Sequence, residues 1–281
     1  MNLFCRLTRV EMVKIFSKPR TYIGFATIFL LVPVIMWLVR KYGLDIYENA
    51  LGSLEDSFVF VGSLTNGLFA AYFLMNVLWV HFPFLIILVS GDVMASESAS
   101  GTFRILLTRS ANRLQVITAK FVATFFYTFS IVFFMGLCCI GFGMLMVGGG
   151  DLLVFDKGIL ILSQNEALLR FLLAYTLAVW AQMTIAALSF LFSTLSSNSV
   201  GPIIGTYAVI VVSFILSVLR IDALRYIRPY LFTSYFDVFF APFAAPIPWS
   251  EIASDMLRLG AFIIIFYLIS VFVFLRRDIT T

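Results

Sequence analysis

Residues 121–147 read FVATFFYTFSIVFFMGLCCIGFGMLMV, a run without a single charged side chain. As an α-helix it would be about 40 Å long, more than the roughly 20 apolar residues a bilayer crossing requires. Lipid offers no partner to an open backbone, so such a run must be helical. It does not alternate apolar and polar residues as a spanning β-strand would. Five further stretches read the same way: Tyr22–Val39, Leu68–Val89, Ala167–Phe192, Gly201–Leu219 and Leu259–Leu275. Arg170, near one end of the fourth span, is the one charge within the six. The expected fold is therefore an all-α, polytopic bundle of six transmembrane helices, forming one domain over residues 1–281.

Composition agrees. Hydrophobic residues make up 62% of the chain and charged residues 12%, whereas a soluble domain is about a quarter charged. The net charge of +4 is the ordinary basic bias of membrane loops and points to no nucleic acid. The first span is read as retained rather than as a cleaved signal, because Arg40 and Lys41 follow it without a small-residue cleavage site. Cys138 and Cys139 are neighbours within a span and point to different helix faces, so no disulfide framework is expected.

Orientation follows from the basic residues. Segments 1–21, 90–120, 193–200 and 276–281 hold 11 of the 19 lysines and arginines but only 4 of the 15 acids. Positive charge marks the cytoplasmic side, so both termini are expected there. Residues 1–20 mix basic side chains with Leu3, Phe4, Leu7, Val10 and Val13, which predicts a helix lying in the membrane interface. Pro33 and Pro83 predict local kinks, and Gly148–Asp151 a flexible exit from the third span. The external stretch 220–258 should begin with a short helix over Asp222–Arg228. It continues through Leu231–Trp249, too interrupted by Pro242, Pro246 and Pro248 for a seventh span. Its aromatics suit an interfacial or re-entrant segment.

Several chemistries are missing. No phosphate-cradling G-x-x-x-x-G-K-[ST] loop is present, and a single histidine cannot form a zinc-binding H-E-x-x-H. No catalytic residues and no metal ligands are assigned. Asn76, His81 and Gln182 are polar side chains at membrane depth. They read either as hydrogen-bonding glue between helices or as contacts along a substrate path.

The segment between the second and third spans, residues 91–120, is polar, then apolar, then basic. A solvated loop has no need of Phe103, Ile105, Leu106 and Leu107, so a docking role is expected. Asp92 is followed five residues later by Glu97 and four after that by Gly101-Thr102; Arg113 precedes Lys120 by seven. In this spacing the chain resembles the permeases of type-2 ABC transporters, six-helix exporters that pair with a separate cytoplasmic ATPase. The basic N-terminal helix, the short loop Ser193–Val200 and the broken segment before the last helix extend the resemblance over nearly the whole chain. Ser98, Ala99 and Ser100 stand where the family often carries charges. Ser110 stands where it usually has proline, and serine is itself a good helix N-cap.

The resemblance implies a coupling helix formed from this loop. Asp92, Glu97, Gly101, Thr102, Phe103, Arg104, Leu106, Arg109 and Arg113 would serve contact with the ATPase. Glu97 would anchor the helix, Gly101 would let the backbone turn, and the apolar run would fill a groove of the partner. Arg104, Arg109 and Arg113 read equally well as plain cytoplasmic topology. The resemblance further implies two cytoplasmic ATPase subunits carrying ATP and magnesium, and a second permease copy or paralogue. Spans one, two and five would line the route between the copies, in a bacterial inner membrane. Two other classes stay open: a membrane scaffold driving an extracytoplasmic assembly or maturation process, and an intramembrane enzyme.

Overall fold

A computed structural model describes residues 3–51, 66–101, 112–155, 159–219 and 225–276. Their order is α1 (Leu3–Ser17), α2 (Pro19–Leu51), α3 (Gly67–Trp79), α4 (Phe82–Ser90), α5 (Ala95–Ala99) and α6 (Arg113–Met146). A hairpin of β1 (Leu152–Phe155) and β2 (Ile159–Leu162) follows, then α7 (Gln164–Leu195) and α8 (Val200–Val218). Two 3-10 stretches, Arg228–Tyr230 and Phe232–Phe243, lead into α9 (Trp249–Arg276). Among the described residues six helical stretches are long and apolar enough to cross a membrane, the run Phe82–Ala99 through α4 and α5 counting as one, as a multi-pass membrane protein requires.

The core is organised around α7. Of its most apolar stretch 78% is buried, against 28% for α2 and 22% each for α8 and α9. Those three helices therefore leave long apolar faces outward. Contacts define two ends of the bundle. At one, α1, the end of α4, the start of α6, the end of α7 and the last turn of α9 meet; Arg113 donates to the Leu275 carbonyl at 3.3 Å. The hairpin and the 3-10 stretches occupy the other.

The second span departs from a continuous helix. It is broken at Val80-His81 into α3 and α4, with Pro83 in the first turn of the second piece. Proline has no N–H to give to the Trp79 carbonyl, and its ring crowds that position. Pro33, by contrast, lies inside an unbroken α2. That helix runs on to Leu51 rather than giving way to a loop near Arg40, since Arg, Lys and Glu are good helix formers.

Helix α1 divides its apolar residues between two sides. Leu3, Val10 and Val13 are exposed, and Thr8, Glu11 and Ile15 are the residues it buries. Ile15, Met12 and Phe16 pack on the core, Leu3, Val10 and Val13 are left for the membrane interface, and the acid points into the protein.

The exit from α6 leads through Gly148–Gly150 into the hairpin. Gly148, at φ 103°, turns the chain in a conformation that side chains disfavour. The hairpin then pairs Leu152 with Leu162 and Val154 with Leu160, burying Leu152, Val154 and Leu162. Asn66 caps α3 by accepting from the Phe69 N–H at 2.9 Å, and its amide donates to the Asp151 carbonyl.

The long 3-10 stretch explains itself by period. With three residues per turn, positions three apart stack in rows. Phe232, Tyr235 and Val238, with Thr233, Phe236 and Phe239, form two buried rows, and Ser234, Asp237 and Phe240 form the third. Phe239 packs on Trp79 at 3.7 Å between ring centroids, and Phe243 on Tyr72 and Phe171 at 5.0 Å each. Arg170 pins the end of this stretch: its guanidinium donates to the carbonyls of Pro242 at 2.9 Å and Ala244 at 2.8 Å while pairing with Glu166 at 2.7 Å. Arg170→Met is expected to cost about 2 kcal/mol, as charge-assisted bonds to carbonyls do. Limited proteolysis near residues 244–248 should accelerate, and an unchanged cleavage rate would show that the aromatic packing alone holds the segment. The expected short helix Asp222–Arg228 falls partly outside the described residues; its last residues, 225–228, form a turn that passes into the 3-10 turn Arg228–Tyr230.

Candidate functional site

Three carboxylates and four cations from four separate segments converge at the end of the bundle that carries α1. Glu11, Lys14, Lys18 and Arg20 come from α1 and the start of α2. Asp92 comes from the turn after α4, Glu97 from α5 and Lys120 from the second turn of α6. Lys120 Nζ sits 2.6 Å from Glu11 Oε2 and 2.7 Å from Glu97 Oε1. Lys14 Nζ reaches the same two acids, at 2.7 Å and 2.8 Å. Asp92 takes Lys18 on one oxygen at 2.7 Å and Arg20 on the other at 2.6 Å. The two sub-clusters are joined through α5, where Lys18 also donates to Ser96 Oγ at 3.1 Å.

Burial makes these contacts matter. The Lys120 side chain is 1% exposed, Asp92 2% and Glu11 6%. Such charges are tolerated only when paired and hydrogen-bonded. Lys18, Arg20 and Lys14 are partly solvated at the rim. Burial works against the Lys14 charge, but its hydrogen bonds to Glu11 and Glu97 outweigh this and hold its pKa above the ordinary lysine value. A cavity of about 480 Å³ opens between α1 and the 89–100 segment, lined by these charged groups other than Lys120.

The backbone here is tied to the bundle as well. Ser193 Oγ, at the end of α7, accepts the N–H groups of Met94 at 3.1 Å and Ala95 at 2.9 Å. It thereby serves α5 as a cap from another helix. A β-carbon on Gly91 would stand 2.9 Å from the Ile87 carbonyl oxygen and 3.1 Å from Ser189 Oγ, so this turn packs closely on α7. Gly101 ends α5 at φ 67°, a left-handed conformation suited to glycine.

Of the residues singled out for ATPase contact, Asp92 and Glu97 thus point inward, into ion pairs within the chain. Arg113 lies in the first turn of α6 against the end of α9. Thr102, Phe103, Arg104, Leu106 and Arg109 lie outside the described residues. So does Ser110; the N-cap of α6 is Asn112, in a capping box with Gln115. Glu11, Lys14, Lys18 and Arg20 were read from sequence only as interfacial basic residues and their neighbours. The acid among them, in an otherwise basic helix, is the one signal that could have marked an inward face.

The candidate path residues are not brought together. Asn76 and His81 are exposed and bond their own helix, at 3.0 Å to the Tyr72 carbonyl and 3.3 Å to that of Val77. Gln182 is fully buried in α7, and neither its amide oxygen nor its nitrogen has a hydrogen-bond partner among the described residues. All three cysteines are free, Cys138 and Cys139 buried.

No curated protein matches the chain. Residues 30–280 match the family model described as a protein of unknown function, DUF2705, and the chain belongs to that family.

Proposed function

We propose that this chain is the membrane-spanning permease subunit of an ATP-driven exporter of the type-2 ABC class. It would work with two cytoplasmic ATPase subunits, which carry the ATP and magnesium, and with a second permease copy or paralogue in the inner membrane. Both termini would be cytoplasmic. The observation that carries the reading is the buried charge network around Asp92 and Glu97. ATP-driven closure of two ATPases is useful only if a stiff element passes it into the membrane. The segment leading into residues 102–111 is bolted by ion pairs to α1, α2 and α6, and by Ser193 to α7. A push delivered through the apolar run at Leu106 would then be shared by several spans rather than absorbed in a loop. The outward apolar faces of α2, α8 and α9 suit lipid and a second copy.

The test is affinity purification in mild detergent, with the genomic neighbours co-expressed and ATPase activity assayed. An ATPase is expected to accompany the wild type and to be lost from Leu106→Asp. Glu97→Ala, which loosens the network without touching the apolar run, is expected to retain the ATPase but to lose transport-linked stimulation. Failure of any ATPase to co-purify would overturn the reading and favour an intramembrane enzyme. An ATPase that arrives with an external partner assembly and no transported cargo would favour the scaffold.

A further inference from the structure

The charges at the α1 end of the bundle are sorted by sign. The acids described there, Glu11, Asp92 and Glu97, turn inward: their side chains are 6%, 2% and 13% exposed, and each is paired with a cation. Arg6 and Arg9 of α1 turn outward, and neither has an ion pair among the described residues. Leu3, Val10 and Val13 are exposed beside them. Steps of three, four and seven along a helix stay on one side. Such steps link Leu3 to Arg6 and Val10, Arg6 to Arg9, Val10 and Val13, and Arg9 to Val13. The outward side of α1 thus combines two cations with three aliphatic side chains and carries no acid. A face turned to water alone has no use for the aliphatic residues.

The neighbouring helix says what this face meets. Lys18 alone separates α1 from Pro19, the first residue of the spanning stretch of α2. Tyr22 and Ile23, one turn into that stretch, are exposed and so face lipid. Helix α1 therefore stands at the boundary of the bilayer, where the headgroups lie. Guanidinium groups match the paired oxygens of a phosphate diester, and aliphatic side chains between cations suit the boundary between headgroups and acyl chains.

We propose that the outward face of α1 binds an anionic phospholipid, its headgroup phosphate held by Arg6 and Arg9 and its upper acyl region against Val10 and Val13. The inward pairing of Glu11 with Lys14 and Lys120 keeps the one acid of α1 away from that phosphate. The proposal needs only that the apolar helices are embedded in a bilayer, and it does not rest on the permease reading.

The full-length protein in a zwitterionic detergent is titrated with dioleoylphosphatidylglycerol or, separately, dioleoylphosphatidylcholine, and bound lipid is counted by native mass spectrometry. The two lipids share their acyl chains and differ in headgroup charge. A basic residue near an anionic lipid surface contributes about fivefold, so the anionic lipid should bind about tenfold or more tightly. Arg6→Gln combined with Arg9→Gln should remove that preference. Arg225→Gln combined with Arg258→Gln takes the same charge from two exposed arginines at the other end of the bundle and should keep it. Equal affinity for the two lipids, an unchanged preference in the Arg6 and Arg9 variant, or an equal loss in the control would overturn the proposal. So would displacement of the lipid by inorganic phosphate, which would mark a site for free anions. Thermal unfolding checks that the variants are folded. Val13→Glu sets a carboxylate four residues from Arg9 without removing either arginine, and it too must weaken binding of the anionic lipid.

Discussion

Lys120→Met is expected to destabilise the protein by about 3–5 kcal/mol, the range for removing one partner of a buried ion pair. The ammonium lies 2.6 Å from Glu11 and 2.7 Å from Glu97, with 1% of its side chain exposed. Without it, the two carboxylates that share Lys14 would lose their buried cation and keep a partly solvated one. The repulsion and the uncompensated burial act together, and α1 should peel from α6. Adding Glu11→Leu to Lys120→Met removes one of the stranded acids, so the double variant should lose less than the two single variants summed. Arg258→Ala serves as the control, because its pair with Asp255 is exposed on the arginine side and is worth about 0–1 kcal/mol. Thermal unfolding in detergent measures all four proteins. Equal stability of Lys120→Met and Arg258→Ala would mean that the network does not hold α1 in place.

Gly143→Val should be comparably damaging, for steric reasons. Gly67 at the start of α3 and Gly143 near the end of α6 meet backbone to backbone: a β-carbon built on either runs into the other's main chain. Overpacking costs about 1–3 kcal/mol and occasionally more, and here the obstacle is main chain, which has no alternative rotamer. Helix α3 would have to retreat. It would lose the Gly67 N–H bond to the Gly148 carbonyl at 2.8 Å and disturb the Asn66 links to Asp151. Close helix approach at small residues is the usual basis of packing in lipid. Gly141→Ala, two residues away, meets nothing within 4 Å and should be neutral or slightly stabilising, as helix propensity favours alanine. The same melting experiment decides the matter, and a Gly143→Val protein as stable as Gly141→Ala would contradict the contact.

Much of the architecture was legible from the chain because its causes are local. A charge-free run such as Phe121–Val147 must be a helix in lipid whatever surrounds it. Pro83 breaks the second span through its own ring and missing donor. The prolines and aromatics of Leu231–Trp249 rule out a continuous span within that segment alone. Gly101, picked for a tight turn, does adopt a left-handed conformation. The hairpin at 152–162 escaped notice because its apolar strands are short and ambiguous by period.

What the tertiary structure decided is the use of the charges. Asp92 and Glu97 stood out by spacing, but nothing local announces that their partners are Lys18, Arg20, Lys14 and Lys120. Lys14 meets Glu97 across 83 residues and Lys120 meets Glu11 across 109. Pairings at such separations leave no periodic trace, since either sequence neighbourhood alone is equally compatible with a solvated charge. The same holds for Gly67 with Gly143. Hydrophobicity is a property of each segment and sets which parts enter the membrane. Burial of a charge, or the approach of two backbones, belongs to pairs of segments, and only their packing settles it.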